Sequence, residues 1–163
     1  MGNSGNQTLG IILFRGINRI NLDVKGRLAI PTRYRERLQE YCASELVITV
    51  DPDRCLLIYP LTVWVKIEKQ LMELPTFNES TRTLQRLLVG YATEVQMDGQ
   101  GRVLLPPPLR EFAGLQKQTV MIGQGARFEL WDETRWNDKQ GNWLEKADLK
   151  QLNLSPELGN ISI

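Results

Sequence analysis

Residues 23–36 read DVKGRLAIPTRYRE, and residues 98–111, which begin 75 positions later, read DGQGRVLLPPPLRE. Six of the fourteen positions coincide, whereas residue usage of roughly 5–7% per type predicts about one coincidence by chance. The shared residues are an aspartate, a glycine, two arginines, a proline and a glutamate. Because internal similarity at a fixed spacing indicates repeated structural units, we predict two copies of one small unit.

The shared stretch predicts a tight turn between two short strands. Asp-x-x-Gly followed by arginine is a hairpin signal, because Gly26 and Gly101 can adopt a positive φ. Pro31 and Pro106 then end the returning strands, and they can begin the helices that follow, since proline is tolerated in the first turn of a helix.

The similarity continues beyond the turn with small changes in offset. Residues 54–59 (RCLLIY) match residues 127–132 (RFELWD), and residues 62–64 (TVW) match residues 134–136 (TRW). Each copy is therefore predicted to contain a strand, the turn, a strand, a short helix, two strands and a helix that begins near the tryptophan. Apolar runs and turn residues predict strands at 11–14, 46–50 and 119–122, turns at 51–53 and 123–125, and helices at 61–74, at 84–88 with Asn78–Thr81 as its cap, and from about 133.

These elements predict an α+β fold of two tandem, pseudo-symmetric β-rich repeats with flanking helices. We expect the first repeat at residues 13–80 and the second at residues 81–145. Residues 1–12 are expected to be an N-terminal extension or a tag remnant, and residues 146–163 a C-terminal tail.

Basic residues are concentrated near the N-terminus. The 163-residue chain has a net charge of +1, but residues 14–38 alone contain seven basic and two acidic residues, a net charge of +5 that leaves −4 for the remainder. This asymmetry indicates either an anionic partner for the basic segment or a solvated, salt-bridged surface. Charge alone leaves both alternatives open.

The sequence contains no histidine and only two cysteines, Cys42 and Cys55. Histidine-based catalytic triads and most zinc sites therefore have no basis here, and neither a Gly-rich phosphate loop nor a metal-ligand spacing occurs. We expect no catalytic residue, metal, cofactor or small-molecule substrate, and we therefore expect that the protein is not an enzyme. The two cysteines are expected to be reduced and buried. No apolar run reaches about 18 residues, so we expect no membrane partner.

Several strings resemble the MraZ family of bacterial regulators. They cover roughly residues 14–145 and include FRG at 14–16, NLDVKGRLAIPTRYR at 21–35, CLLIYPL at 55–61, QRLLVG at 85–90, MDGQGR at 97–102, VMIGQ at 120–124 and FELWD at 128–132. Two departures stand out. Gln100 occupies the position that corresponds to Lys25, and Leu13 occupies the position where the family begins with methionine. We expect Leu13 to mark the natural start, since a leucine codon can serve as one in bacteria.

The resemblance implies a fold like the swapped-hairpin β-barrel of AbrB-type transcription factors. It also implies a ring-shaped homo-oligomer that binds repeats in a promoter and represses the division and cell-wall gene cluster. Double-stranded DNA and further copies of the chain are therefore the expected partners, and the expected location is cytoplasmic and nucleoid-associated.

Five basic residues are expected to contact DNA: Arg15, Lys25, Arg27, Arg33 and Arg102. Each lysine or arginine that neutralises a phosphate releases counterions, and the planar arginine fork suits a phosphate or the major-groove edge of guanine.

Four motif residues are expected to be structural: Asp23, Gly26, Asp98 and Gly101. An alternative stays open for Arg27 and Arg102, because Asp23 can pair with either arginine and simply hold the hairpin. Arg35 and Arg110 are expected to fold back on the hairpin or to support assembly.

The main rival interpretation is an antitoxin-like protein-interaction module. Such proteins share related β-swapped folds, but they usually carry a long tail that wraps the toxin, and the expected tail here is short. A purely structural ring is a third alternative, and the charge asymmetry argues against it.

Overall fold

The computed structural model of the chain describes residues 12–146. The chain divides into two compact units, Met1–Glu133 and Thr134–Ile163. The described elements of the first copy are β1 (Phe14–Asn21), β2 (Arg27–Ala29), α1 (Thr32–Cys42), β3 (Glu45–Val50), β4 (Leu56–Pro60) and α2 (Leu61–Met72). After α3 (Glu79–Leu88), those of the second copy are β5 (Thr93–Gln96), β6 (Arg102–Leu104), α4 (Pro107–Phe112), β7 (Gln118–Gly125), β8 (Arg127–Asp132) and α5 (Glu133–Lys146). The predicted order of elements is confirmed in both copies.

The two copies exchange strands. The six-stranded antiparallel sheet has the order β1-β7-β8-β4-β3-β5, so β1 of the first copy pairs with β7 of the second, and β5 of the second pairs with β3 of the first. The central pair, β4 and β8, joins the two halves. Strands β2 and β6 form a separate two-stranded sheet, with one strand from each copy. This reciprocal pairing confirms the expected α+β fold with pseudo-symmetric, swapped repeats.

One core contains residues from both copies. The two-stranded sheet contributes Leu28 and Val103, which are at most 1% exposed, and the six-stranded sheet contributes Ile48 and Leu130, both fully buried. Burial of apolar surface stabilises by roughly 25 cal/mol per Å². Because both copies contribute to this core, neither copy buries its apolar residues without the other.

Helices α2 and α3 pack on the sheet through β3 and β4. Every residue of β4 is buried, as expected of a strand that is covered on both faces. The Thr49 hydroxyl of β3 donates a hydrogen bond to the carbonyl of Leu88 at the end of α3. The predicted cap of α3 is confirmed, because the Asn78 side chain accepts a hydrogen bond from the backbone N–H of Ser80 at 2.8 Å. The helix itself begins at Glu79, earlier than predicted.

Three local predictions are wrong. The first strand begins at Phe14, so it does not occupy residues 12–13, and position 11 lies outside the described residues. Residues 123–125, which were predicted to form a turn, all lie in β7, where Gly123 pairs with Phe128 of β8. Gly123 serves close packing instead, since a Cβ there would lie 2.5 Å from the backbone nitrogen of Arg15.

The third error concerns the offset between the copies. Strands β4 and β8 pair with each other across the pseudo-twofold axis, and Leu57 and Glu129 form the central pair. These two residues are therefore equivalent, so equivalent positions in the two strands are 72 residues apart. The string match implied 73. The difference arises because five residues lie between the paired Val50 and Leu56, whereas four lie between Gly123 and Phe128, the equivalent pair of the second copy.

The second unit is described through residue 146 and consists of α5 from its second residue onward. Within it, the rings of Trp136 and Trp143 meet edge-on with centroids 5.6 Å apart, and Trp136 is buried. In the first unit, Cys42 and Cys55 are buried and unbridged, as expected, and burial raises the pKa of both thiols.

Among residues 12–146 there is no helix long and apolar enough to cross a membrane. Over the same residues, no three cysteine, aspartate or glutamate side chains are grouped so that they could hold a metal ion.

Candidate nucleic-acid interface

The two-stranded sheet of β2 and β6, called the ribbon below, presents two arginines on its outer face. Alternate residues of a strand point to opposite faces, and the buried Leu28 and Val103 define the inner face. Arg27 and Arg102 therefore lie on the outer face. Arg102 pairs with Ala29, so the two arginines are diagonal neighbours, about 7–8 Å apart across the two strands.

Each arginine is anchored by the aspartate of its own turn. One carboxylate oxygen of Asp23 accepts hydrogen bonds from the backbone N–H groups of Lys25 and Arg27, both at 2.9 Å, and the other accepts from Nε of Arg27. Asp98 makes the same set of bonds in the second turn, where Nε of Arg102 donates at 3.2 Å. The alternative in which Asp23 pairs with Arg102 is therefore wrong.

This anchoring leaves part of each guanidinium available. Within residues 12–146, the guanidinium groups of Arg27 and Arg102 form hydrogen bonds through Nε, and their terminal Nη1 and Nη2 groups form none. The two side chains are 29% and 31% exposed. A structural role and a ligand-binding role are thus compatible for the same arginine, because the aspartate fixes the side chain while its outer nitrogens remain free.

Two further arginines each contact a glycine of the other copy. The guanidinium of Arg110 packs over Gly26, and its Nε donates to the carbonyl of Leu105 at 3.0 Å. Arg35 packs over Gly101 in the same way, with Nε donating to the carbonyl of Ile30 at 2.7 Å. The expectation that these two arginines fold back on a hairpin is confirmed, and each one contacts the hairpin of the other copy.

The two turns differ in charge. The tip of the first turn carries Val24, which is fully exposed, and Lys25, which is exposed. The charged residues of the groove beside this turn are Asp23, Arg110 and Lys117, whereas those of the equivalent groove beside the second turn are Arg35, Glu36 and Asp98. The second tip also lacks a lysine. The first turn is therefore the more basic end of the ribbon.

Arg15 and Arg33 lie away from the ribbon turns. Arg15 is near the start of β1, and the first turn follows the end of that strand, about 20 Å away at roughly 3.3 Å per residue. Arg33 lies on α1 and bonds to Asn18 of β1. The five expected DNA contacts thus divide into the ribbon residues and a separate pair at β1 and α1. Arg37, which our sequence prediction omitted, joins that pair, and its i, i+4 spacing from Arg33 was the available signal.

Comparison with known proteins gives a consistent result over nearly the whole chain. The family model for the MraZ protein, which is described as antitoxin-like, matches residues 13–87 and again residues 88–151. The chain belongs to the MraZ family. The transcriptional regulator MraZ of Halorhodospira halophila is 51% identical over 152 residues, which are 93% of this chain and all of that protein. The protein of the same name in Methylococcus capsulatus is 52% identical, over 92% of this chain and 99% of that protein. The one in Thioalkalivibrio sulfidiphilus is 56% identical, over 83% of this chain and 91% of that protein.

The close packing at the first turn of this MraZ-family chain makes Gly26 sensitive to substitution. Its φ is +81°, and a Cβ would lie 2.8 Å from the guanidinium carbon of Arg110. We expect Gly26→Ala to lower the free energy of unfolding by about 1–2 kcal/mol, because a left-handed conformation is unfavourable for alanine and Arg110 must move. Urea denaturation measures this change. Gly99→Ala is the matched control, since nothing lies within 4 Å of a Cβ there; equal stability losses in both variants would contradict the prediction.

The turn carboxylates of this MraZ-family chain also give a prediction on pH. The backbone N–H of Arg27 is the main cause that lowers the pKa of Asp23, and Arg102 acts in the same way on Asp98. A carboxyl group whose pKa is lower in the folded state stabilises the fold above its unfolded pKa of about 3.9, and this contribution is lost as pH falls through the folded pKa.

We therefore expect Asp23→Asn to lower the melting temperature at pH 7 and to have a progressively smaller effect below about pH 4. Thermal melts of wild type and variant from pH 7 to pH 2 measure this difference. A difference that stays constant over that range would show that the charge of Asp23 contributes nothing to stability.

Proposed function

We propose that this protein is a sequence-specific DNA-binding transcriptional regulator that uses the ribbon as its DNA-binding surface. The names of its relatives supply the regulatory role. The observation that carries the DNA-binding proposal is the pair Arg27 and Arg102. Both are anchored by their own aspartates on the outer face of the ribbon, and neither makes an Nη hydrogen bond to the described residues 12–146. Exposed cations that are positioned in advance are what an anionic ligand requires.

The shape of the ribbon supports the same proposal. The major groove of B-DNA is about 12 Å wide and admits a two-stranded β-ribbon. In that position Arg27 and Arg102 reach base edges or phosphates with their outer nitrogens, and Lys25 at the first tip neutralises a phosphate. The second turn contributes less charge because Gln100 stands at the equivalent position.

A ring-shaped homo-oligomer and repeated promoter sites complete the proposal. The ribbon and its tips present three of the expected DNA-contacting cations, Lys25, Arg27 and Arg102, so a single ribbon binds weakly. Joining several ribbons in one assembly makes each later contact intramolecular, and the higher effective concentration converts weak contacts into strong overall binding. We propose that the assembly represses the division and cell-wall gene cluster, acts at the nucleoid in the cytoplasm, and performs no catalysis.

Binding to two duplexes across several salt concentrations tests this proposal. One duplex comes from upstream of the gene for this protein, and the other is a shuffled duplex of the same composition. We expect tight binding to the native duplex only, with an affinity that falls steeply as salt rises. Equal, weak binding to both duplexes would exclude a sequence-specific regulator, and native mass measurement of the bound species tests the ring.

The antitoxin-like description of the family favours one second candidate, a protein-interaction module. Affinity purification from the native cell extract after nuclease treatment separates the two candidates. A stoichiometric protein partner that remains without DNA would favour the interaction module, whereas recovery of the chain alone would favour the regulator.

A further inference from the structure

A cleft between β1 and α1 gathers positive charge away from the ribbon. Its volume is about 450 Å³. Three of the five lining residues are arginines, and none is acidic: Leu13, Arg15, Arg33, Tyr34 and Arg37. All three arginine side chains are exposed to solvent. This group is called the arginine cleft below.

Neutral groups hold two of these arginines in place. Nη2 of Arg33 donates to the side-chain oxygen of Asn18 at 2.7 Å, and its guanidinium lies 4.9 Å from the ring centre of Tyr34. Nη2 of Arg37 donates to the carbonyl of Leu13, and its guanidinium lies 4.8 Å from the ring centre of Phe14. These contacts orient the guanidinium groups without neutralising them.

Within residues 12–146, no carboxylate forms an ion pair with Arg15, Arg33 or Arg37. The ion pairs of these described residues involve other arginines. Arg33 and Arg37 are one helical turn apart, a spacing at which like charges repel. Three positive charges therefore line the same cleft, and a bound anion would reduce the electrostatic repulsion between them.

The second copy shows that the fold does not require this cluster. Pro108 and Phe112 stand 75 positions after Arg33 and Arg37, whereas Arg35 is matched by Arg110. Helix α4 nonetheless packs in the core through Leu109, as α1 does through Tyr34. Because one copy folds without the cluster, folding alone does not explain its presence in the other.

We propose that the arginine cleft is a second anion site, which binds a phosphate group through Arg15, Arg33 and Arg37. A guanidinium can donate two parallel hydrogen bonds to phosphate oxygens, and the ring contacts restrict the orientations of two of the three groups. The phosphate belongs either to the backbone of a DNA duplex or to a free phosphorylated molecule. The site goes beyond the proposed function, since it does not depend on the ribbon.

Titration of the full-length protein with inorganic phosphate at constant ionic strength tests the site. Nitrogen-15 NMR follows the Nε–Hε signals of the arginines and the side-chain amide of Asn18. We expect saturable shifts at Asn18, Arg33 and Arg37, and at least a tenfold weaker phosphate affinity in Arg37→Gln. Arg86→Gln, which removes an exposed arginine of α3, is the matched control and should bind phosphate as wild type does.

Arg37→Lys keeps the charge but removes the fork, so we expect intermediate phosphate affinity, and melting temperatures verify that each variant is folded. Shifts that do not saturate, or equal phosphate affinity in Arg37→Gln and Arg86→Gln, would overturn the proposal. Saturable shifts confined to Arg27 and Arg102 would also overturn it, because the phosphate would then occupy the ribbon.

The same variants separate the two sources of the phosphate. If it belongs to DNA, Arg37→Gln reduces the slope of log affinity against log salt by about 1 for a duplex. If the phosphate belongs to a free molecule, the salt slope for the duplex is unchanged in Arg37→Gln. Either slope is compatible with the arginine cleft as a phosphate site, provided that inorganic phosphate has been shown to bind there. A wild-type protein that binds no duplex would refute the proposed function, while the phosphate titration would still decide this inference.

Discussion

Replacing Phe128 with alanine is expected to lower the free energy of unfolding by about 3–5 kcal/mol, the range for truncating a buried phenylalanine. Phe128 of β8 is fully buried, and its ring centre lies 4.3 Å from that of Phe14 and 4.9 Å from that of Tyr34. Phe14 and Tyr34 belong to the first copy and Phe128 to the second. The cavity would therefore open where the two copies share their core.

Urea denaturation of wild type and Phe128→Ala measures this loss. Phe77→Ala is the matched control, because Phe77 is 87% exposed and the same atoms are removed. We expect the control to change the free energy of unfolding by no more than about 0.5 kcal/mol. Losses of similar size in both variants would mean that the aromatic cluster does not hold the copies together.

Arg27→Gln is expected to weaken binding to the native promoter duplex by about 10- to 100-fold, the range for an arginine that contacts a base. The reason is the loss of the free Nη groups on the outer face of the ribbon. If Arg27 instead contacts a phosphate, we expect uniform weakening on all sequences and a salt slope that falls by about 1. Duplex titrations at several salt concentrations distinguish these two kinds of contact.

Arg102→Gln is the matched control within the same chain. It removes the same group from the same kind of turn, but the second turn lacks the neighbouring lysine. We expect it to weaken duplex binding less than Arg27→Gln does. Unchanged duplex binding in both variants, with lower melting temperatures, would mean that both arginines serve only to hold their turns.

Local chemistry explains why the turns could be predicted from the sequence. The hydrogen bonds that the Asp23 side chain accepts come from residues no farther away than Arg27, and β2 ends at Ala29, two residues before Pro31. Because these interactions join residues that are close in the chain, the pattern of residue types predicts the turn, and the repeat contains that pattern twice. The order of elements followed from the same kind of signal.

The role of Gly123, unlike that of Gly125, whose φ of +74° lies beside the β7–β8 turn, could not be predicted in this way. Both resemble turn residues, but Gly123 is required by the close approach of β1, a strand more than 100 residues earlier. Sequence spacing carries no information about which distant strand lies alongside. The same limit explains why the arginine cleft was missed, because Arg15 and Arg37 meet only after β1 and α1 have packed.

The sequence by itself determined the repeat, the α+β class, the two Asp-to-Arg turns and the basic character of the N-terminal third, since each rests on residues that are neighbours in the chain. Only the tertiary structure decided which strands the copies exchange, that Arg110 covers Gly26, and that the expected DNA contacts divide between the ribbon and the arginine cleft. The physical reason is that these arrangements depend on burying one core between two copies, and strand pairing over such separations is chosen by that burial rather than by local preference.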